Sequence, residues 1–262
     1  MTAAPHLPWN PLPCGCSAFA LSATGLATLW PRLHLGDAEP WPQLSAVQAA
    51  WGLYHAGSFE AAVEAGLAAG TAGIAVANKA QVMYAHYLEP SERRKLELFR
   101  SAAERAERHT QAEPHNPNAH YLLGYALGRY AQGISLAQAR SEGLSARIRG
   151  ALEQAIVLQP RHADAHVALG VFHAEIIDRI GALLGRTQGV SKDQGLVLLR
   201  TALRLNPGSA IAKVACAYGM LMLEGERRGK DAEVLYAEAA ASTPMDATEW
   251  LDIEMAKAEM GE

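Results

Sequence analysis

What this 262-residue sequence has little of narrows it first. Aromatic residues make up only 6% of it, which suits helices packed closely through small side chains. Three cysteines are too few for a disulfide scaffold. Cys216, set among apolar residues, reads as an inert core thiol; Cys14-Gly15-Cys16 has only His6 and His34 nearby in sequence, so a solvated pair is favoured there over a metal site. A formal net charge of -4, without a repeated basic patch, argues against nucleic acid and anionic membranes. No apolar run is long enough to span a bilayer, because Ser17–Trp30 is broken by Gly25 and followed by Pro31. No Lys or Arg precedes Arg32, so the basic start of a secretory signal is lacking and a cytoplasmic protein is expected.

What is present is internal repetition. Asn118–Pro160 is nearly rewritten as Ala163–Pro207. Both open on Ala-His (Ala119-His120, Ala165-His166) and reach Leu-Gly three residues later (Leu123-Gly124, Leu169-Gly170). A shorter copy, Ser209–Pro244, follows. Self-similarity at a period of roughly 35 to 47 residues is the mark of a stacked repeat, in which each unit buries its apolar face against its neighbours.

Upstream, residues 1–43 are proline-rich, which predicts little continuous helix and a mainly irregular tail. The tail is either mobile or a strap laid across the first helices, anchored by Trp30 and Trp41. From Leu44 the pattern changes: Leu44, Val47, Trp51 and Tyr54 form one helical stripe. A turn at Gly57–Glu60, a helix from Ile74 to Leu88 and an Arg/Glu-rich helix capped by Ser91 follow. The domain division is therefore 1–43 and 44–262. The fold expected is an all-α superhelix of about five helix pairs, ending in a polar capping helix from Ala247.

The second helices carry a small or apolar residue, a large one four on, Ala three further and Pro five after that. Ile148, Leu152, Ala155, Pro160 fit it; so do Gly195, Leu199, Ala202, Pro207 and Ala232, Tyr236, Ala239, Pro244. In these residues the chain resembles the tetratricopeptide repeat (TPR). Locally, Ala165–Leu184 with Ala202–Pro207 is also similar to the helical repeat domain of regulator-of-microtubule-dynamics proteins and their bacterial relatives. The third and fourth units depart from the pattern by about a dozen extra residues each, around 131–143 and 175–189, which implies lengthened helices or an ordered loop.

The TPR resemblance implies a concave groove lined by the first helix of each pair. In that register it is lined by Asn118, Tyr121, Tyr125 and Arg129, then by Asp164, Val167, Val171 and Glu175, then by Ile211, Val214, Tyr218 and Met222. Tyr121, Tyr125, Arg129, Asp164, Val171, Glu175, Tyr218 and Met222 are the candidate partner-binding residues; tyrosine and arginine suit a peptide or protein segment. Equally, the tyrosines pack between helices and Arg129 pairs with Glu175. His162, His166 and His173 share a helical face, but the register gives His120, His166 and His173 core positions, where a backbone carbonyl satisfies the ring. No metal site, cofactor or catalytic group is assigned, since no nucleophile elbow, phosphate loop or zinc-protease motif occurs.

Three readings follow: a non-enzymatic scaffold for a protein or peptide, an assembly subunit whose groove its own tail or another copy fills, and a small-ligand receptor or enzyme. An open groove, a groove plugged from before Leu44, and an enclosed pocket with His and carboxylates distinguish them in that order.

Overall fold

The computed structural model describes residues 8–261; residues 1–7, including His6, and residue 262 lie outside it. Described helices are α1 (Ala23–Leu33), α2 (Ser45–His55), α3 (Phe59–Ala68), α4 (Ile74–Tyr87), α5 (Glu92–Ala112), α6 (Pro117–Gln132), α7 (Leu136–Ser141), α8 (Leu144–Leu158), α9 (Ala163–Thr187), α10 (Lys192–Leu205), α11 (Ala210–Glu224), α12 (Gly229–Ala240) and α13 (Ala247–Met260). Among the described residues there is no strand, and no helix is long and apolar enough to cross a membrane. The pairs α2/α3, α4/α5, α6/α8, α9/α10 and α11/α12 stack in chain order, and α13 closes the series against α11 and α12.

Local chemistry sets the starts. Asn116, Ser191, Ser209 and Asp246 each stand before a helix and accept its first-turn N–H groups, satisfying donors that a helix leaves open. Pro117 occupies the first position of α6, where no N–H is needed.

Within the third and fourth pairs the same contact appears twice. A Cβ added to Gly124 would stand 2.6 Å from Leu152 Cγ, and one added to Gly170 2.7 Å from Leu199 Cγ. The glycines let paired helices touch, and the leucines, 1% and 0% exposed, fill the gap. The extra residues take two forms. In the third unit they lengthen α6 and make the short α7; in the fourth they extend α9 through a kink at Gly181, whose φ of 79° favours glycine.

The proline content predicts little continuous helix before Gln43, yet α1 forms there. The prolines cluster on either side of a proline-free stretch from Cys14 to Trp30, and Pro31 falls in the last turn of α1. The segment is docked. Trp30 is buried, stacks on His34 at 3.8 Å and meets Trp51 edge-on at 5.6 Å, while Trp9 stacks on Tyr84 at 4.0 Å. Residues 34–39 then cross the beginnings of the first helices. Asn118 Nδ2 donates to the Asp37 carbonyl (3.1 Å) and to Glu39 Oε2 (2.6 Å), and the Asp164 N–H donates to the Gly36 carbonyl (3.0 Å).

Candidate functional site

The superhelix turns far enough for its last helix to meet its first. α13 packs on α2, and side chains join the two ends. Arg32 Nη1 donates to Glu249 Oε1 at 2.8 Å, Thr248 Oγ1 donates to Tyr54 Oη at 3.0 Å, and Tyr87 donates to Asp252. The concave face is thereby curved into a half-open pocket of about 590 Å³. Its walls are the first helices: Lys79, Met83 and Tyr87 from α4; Tyr121, Tyr125 and Arg129 from α6; Asp164, Val171 and Glu175 from α9; Thr248, Glu249 and Asp252 from α13. The four-residue spacing along α4 and α6 is what puts each set on one face.

A buried polar chain forms the closing seam. His34 Nδ1 donates to Asp37 Oδ1 (2.9 Å), the Nε2 atoms of His34 and His55 face each other at 3.1 Å, and His55 Nδ1 donates to Asp246 Oδ2 (2.7 Å). The Lys79 ammonium, which bonds Asp37, offsets the charge of that carboxylate. Burial alone would raise Asp37, but His34 and Lys79 hold it well below the usual carboxylate range. Asp246 is likewise lowered by His55 against its own burial, and burial brings His34 down to about 4.

Elsewhere on the wall the carboxyls lack such partners. Burial lifts Asp252 to about 8, with the charges of Asp246 and Asp164 adding to it, and lifts Asp164 to about 6. Asp164 has Lys79 Nζ at 3.9 Å as its cation. Glu175 is also raised by burial.

Of the residues the repeat register places in the groove, Tyr121, Tyr125, Arg129, Asp164, Val167, Val171, Glu175 and Ile211 line this one pocket. Tyr218, 39% exposed, and Met222, packed in the cluster around Leu199 and Met220, are not among its lining residues. Arg129 lies over the Tyr125 ring at 5.2 Å and donates to Gln132 Oε1 (3.2 Å) and His86 Nε2 (3.2 Å). Gln132 Nε2 donates onward to Glu175 Oε1 at 2.7 Å, so an amide bridges the arginine and the glutamate. The repeat histidines have protein partners. His120 and His166 donate to the carbonyls of Pro114 and Pro160 (2.9 and 3.1 Å). His162 accepts from the Ala165 N–H and donates to Asn118 Oδ1 (2.9 Å), and His173 accepts from the Ser191 N–H (3.0 Å). Cys14 is exposed and Cys216 buried. Among the described residues no group of three His, Cys, Asp or Glu side chains is placed to hold a metal ion.

The closing residues His34, Asp37, His55, Lys79, Asp246 and Asp252 are not candidates on repeat grounds, because each occurs once. Local signals mark two of them: Lys79, with Asn78 and Gln81, interrupts the apolar run that opens α4, and Asp246 begins the capping pattern Asp246-Ala247-Thr248-Glu249.

Comparison with known proteins agrees with this architecture. A family model for regulator of microtubule dynamics protein 1-3 matches residues 73–180. Among solved structures, a thermophilic TPR protein of Thermus thermophilus is similar, with a TM-score of 0.58 at 20% identity over 81% of this chain and 97% of that one. No curated protein matches the chain. At that identity the likeness carries the fold, a TPR-like α-α superhelix.

Proposed function

We propose that this protein is a non-enzymatic binding scaffold that holds a short peptide segment in the half-open concave pocket. One observation carries the reading: the first helices of the five successive pairs and α13 turn tyrosines, charged groups and small apolar side chains into a single pocket of about 590 Å³. That size falls in the range of specific ligand sites, roughly 300–1,000 Å³. Tyrosine walls give contact area at low entropy cost, and the half-buried Arg129 adds a directional donor. The histidines and acids of the seam are engaged with one another, which suits a structural closure rather than a proton-transfer site. The TPR-like fold supports a protein or peptide as the occupant. The carboxylates and histidine in the lining also favour a second reading, a receptor for a small polar molecule of the same size.

The test is retention of a degenerate tetrapeptide library by the full chain, read by mass spectrometry after gel filtration, with Val171→Trp as the filled-pocket control. Wild type is expected to retain peptides and Val171→Trp, with an unchanged helical signal, to lose them. Equal retention by the two proteins would move binding off this cavity.

A further inference from the structure

The polar seam holds one contact that its other hydrogen bonds do not explain. Asp37 accepts from the Lys79 ammonium and, through Oδ1, from the Glu39 N–H (3.2 Å), while Asp246 Oδ1 accepts the Glu249 N–H (2.7 Å). Both carboxyls are thus held as acceptors. The ring nitrogen facing each, Nδ1 of His34 at 2.9 Å and Nδ1 of His55 at 2.7 Å, is therefore the one that carries hydrogen. A neutral imidazole has a single N–H, so each Nε2 keeps its lone pair. These two lone pairs face each other at 3.1 Å on residues only 3% and 1% exposed, and neither ring offers the other a donor.

Imidazoles in that state are metal ligands. A histidine that binds a metal through one nitrogen gives its other N–H to a carboxylate, which fixes the tautomer, aims the ring and raises its basicity. Here two neighbouring rings carry that support together. With metal–nitrogen bonds of about 2.0–2.1 Å, nitrogens 3.1 Å apart subtend about 100° at a common ion, near the tetrahedral angle of zinc. The charge of the seam points the same way. Asp37, Asp246 and Asp164 set three carboxyls against one ammonium, Lys79, which bonds Asp37 and has Asp164 at 3.9 Å. A divalent ion balances the remainder. Lys79 meets Asp37 at Oδ2 and His34 meets it at Oδ1, so the carboxylate stands between the ammonium and the ring.

We propose that a divalent ion of the zinc class binds between Nε2 of His34 and Nε2 of His55 and clamps the closing seam. The chain supplies two of its four ligands. His55 is also a lining residue of the pocket, the side from which water completes the shell. His34 lies in the strap before α2, His55 ends α2, and its carboxylate partner Asp246 caps α13. An ion held there ties the strap, the first helix pair and the last helix into one closure. The site does not depend on the peptide reading of the pocket.

Zinc chloride titrated by calorimetry into the full chain, stripped beforehand with EDTA, is expected to bind at one equivalent. It should also slow amide exchange in residues 34–37, 52–56 and 245–250 while α9 and α10 keep their rates. His34→Gln and His55→Gln should each lose that equivalent. Asp246→Asn, which removes the charge supporting His55, should weaken it by about 10–100-fold. Serine in place of both Cys14 and Cys16 should leave it unchanged. No zinc equivalent in wild type would overturn the proposal and leave a shared proton as what joins the two rings. Zinc binding that survives His55→Gln, or that disappears with the two cysteines, would overturn it as well. The exchange pattern is read on wild type, so it decides even where a histidine variant fails to fold: protection away from the three seam segments would place the ion elsewhere.

Discussion

Two seams hold this superhelix together, and they are built from opposite materials. The seam inside each long repeat is apolar and written twice: Gly124 against Leu152, Gly170 against Leu199. The seam between the first and last units is polar and written once, through Asp37, His34, His55, Asp246 and Lys79. An apolar contact is non-directional, so it tolerates being copied from unit to unit with small changes. A buried hydrogen-bonded chain works only if every member is present, and it fixes one relative placement of the two ends. The contrast gives each seam its task. Stacking extends the array; the polar seam decides where it closes, and so how large the pocket is.

Removing one member of the polar seam should have the largest effect. In Lys79→Met the Asp37 carboxylate stays buried with His34 as its one side-chain partner, and breaking a buried pair from one side costs about 3–5 kcal/mol. Adding Asp37→Asn to Lys79→Met should recover part of that loss, because it removes the stranded charge. Urea unfolding of wild type, single and double variants measures both steps. A double variant less stable than Lys79→Met alone would mean that Asp37 matters through His34 and not through the ammonium.

The apolar seam should break with a smaller loss, and with a change of sign between positions. Gly170→Ala sets a Cβ 2.7 Å from Leu199 Cγ and 3.3 Å from the Gly195 carbonyl oxygen, an overpacking of about 1–3 kcal/mol. Gly150→Ala, in α8 with nothing within 4 Å of the new Cβ, should instead stabilise by about 0.5–1 kcal/mol, since alanine loses less backbone freedom than glycine in a helix. Thermal melts of the two proteins should move in opposite directions. Melts moving together would show that the glycine–leucine register does not set the helix spacing.

The same contrast explains what the sequence makes legible. Leu123-Gly124 and Leu169-Gly170 repeat, as do Leu152 and Leu199, each followed by an alanine and then a closing proline, so the pairs and their inward faces can be read before any coordinates exist. That places Tyr121, Tyr125, Arg129, Asp164, Val171 and Glu175 along one surface. It does not tell that the surface closes, because closure depends on residues from opposite ends of the chain: Arg32 and Glu249 are 217 positions apart, His55 and Asp246 191. Nor does it exclude Tyr218, which holds the equivalent place in the fifth unit but lies outside the lining. The docking of α1 is hidden for another reason. Proline content averages over residues 1–43, whereas the helix depends only on the proline-free stretch before Pro31.

The smallest effect is expected where the polar seam reaches water. Arg32 and Glu249 join the ends of the chain at 2.8 Å, but their side chains are 36% and 22% exposed. An ion pair so placed gains little over hydration and is screened by salt, so Arg32→Ala should cost under about 1 kcal/mol. Glu249 is not stranded by the change, because its other oxygen accepts the Met245 N–H at 2.9 Å and water reaches the carboxylate. What the change should alter is local opening. The turn before α13 is tied to α1 by this pair and to α2 by the His55–Asp246 bond, so losing one tie should raise amide exchange across residues 245–252 while exchange in α9 and α10 stays at its wild-type rate. Hydrogen exchange read by mass spectrometry resolves those segments. An unfolding loss as large as that of Lys79→Met would place Arg32 within the buried seam instead, and uniform faster exchange across all helices would mean that the ends do not open separately from the stack.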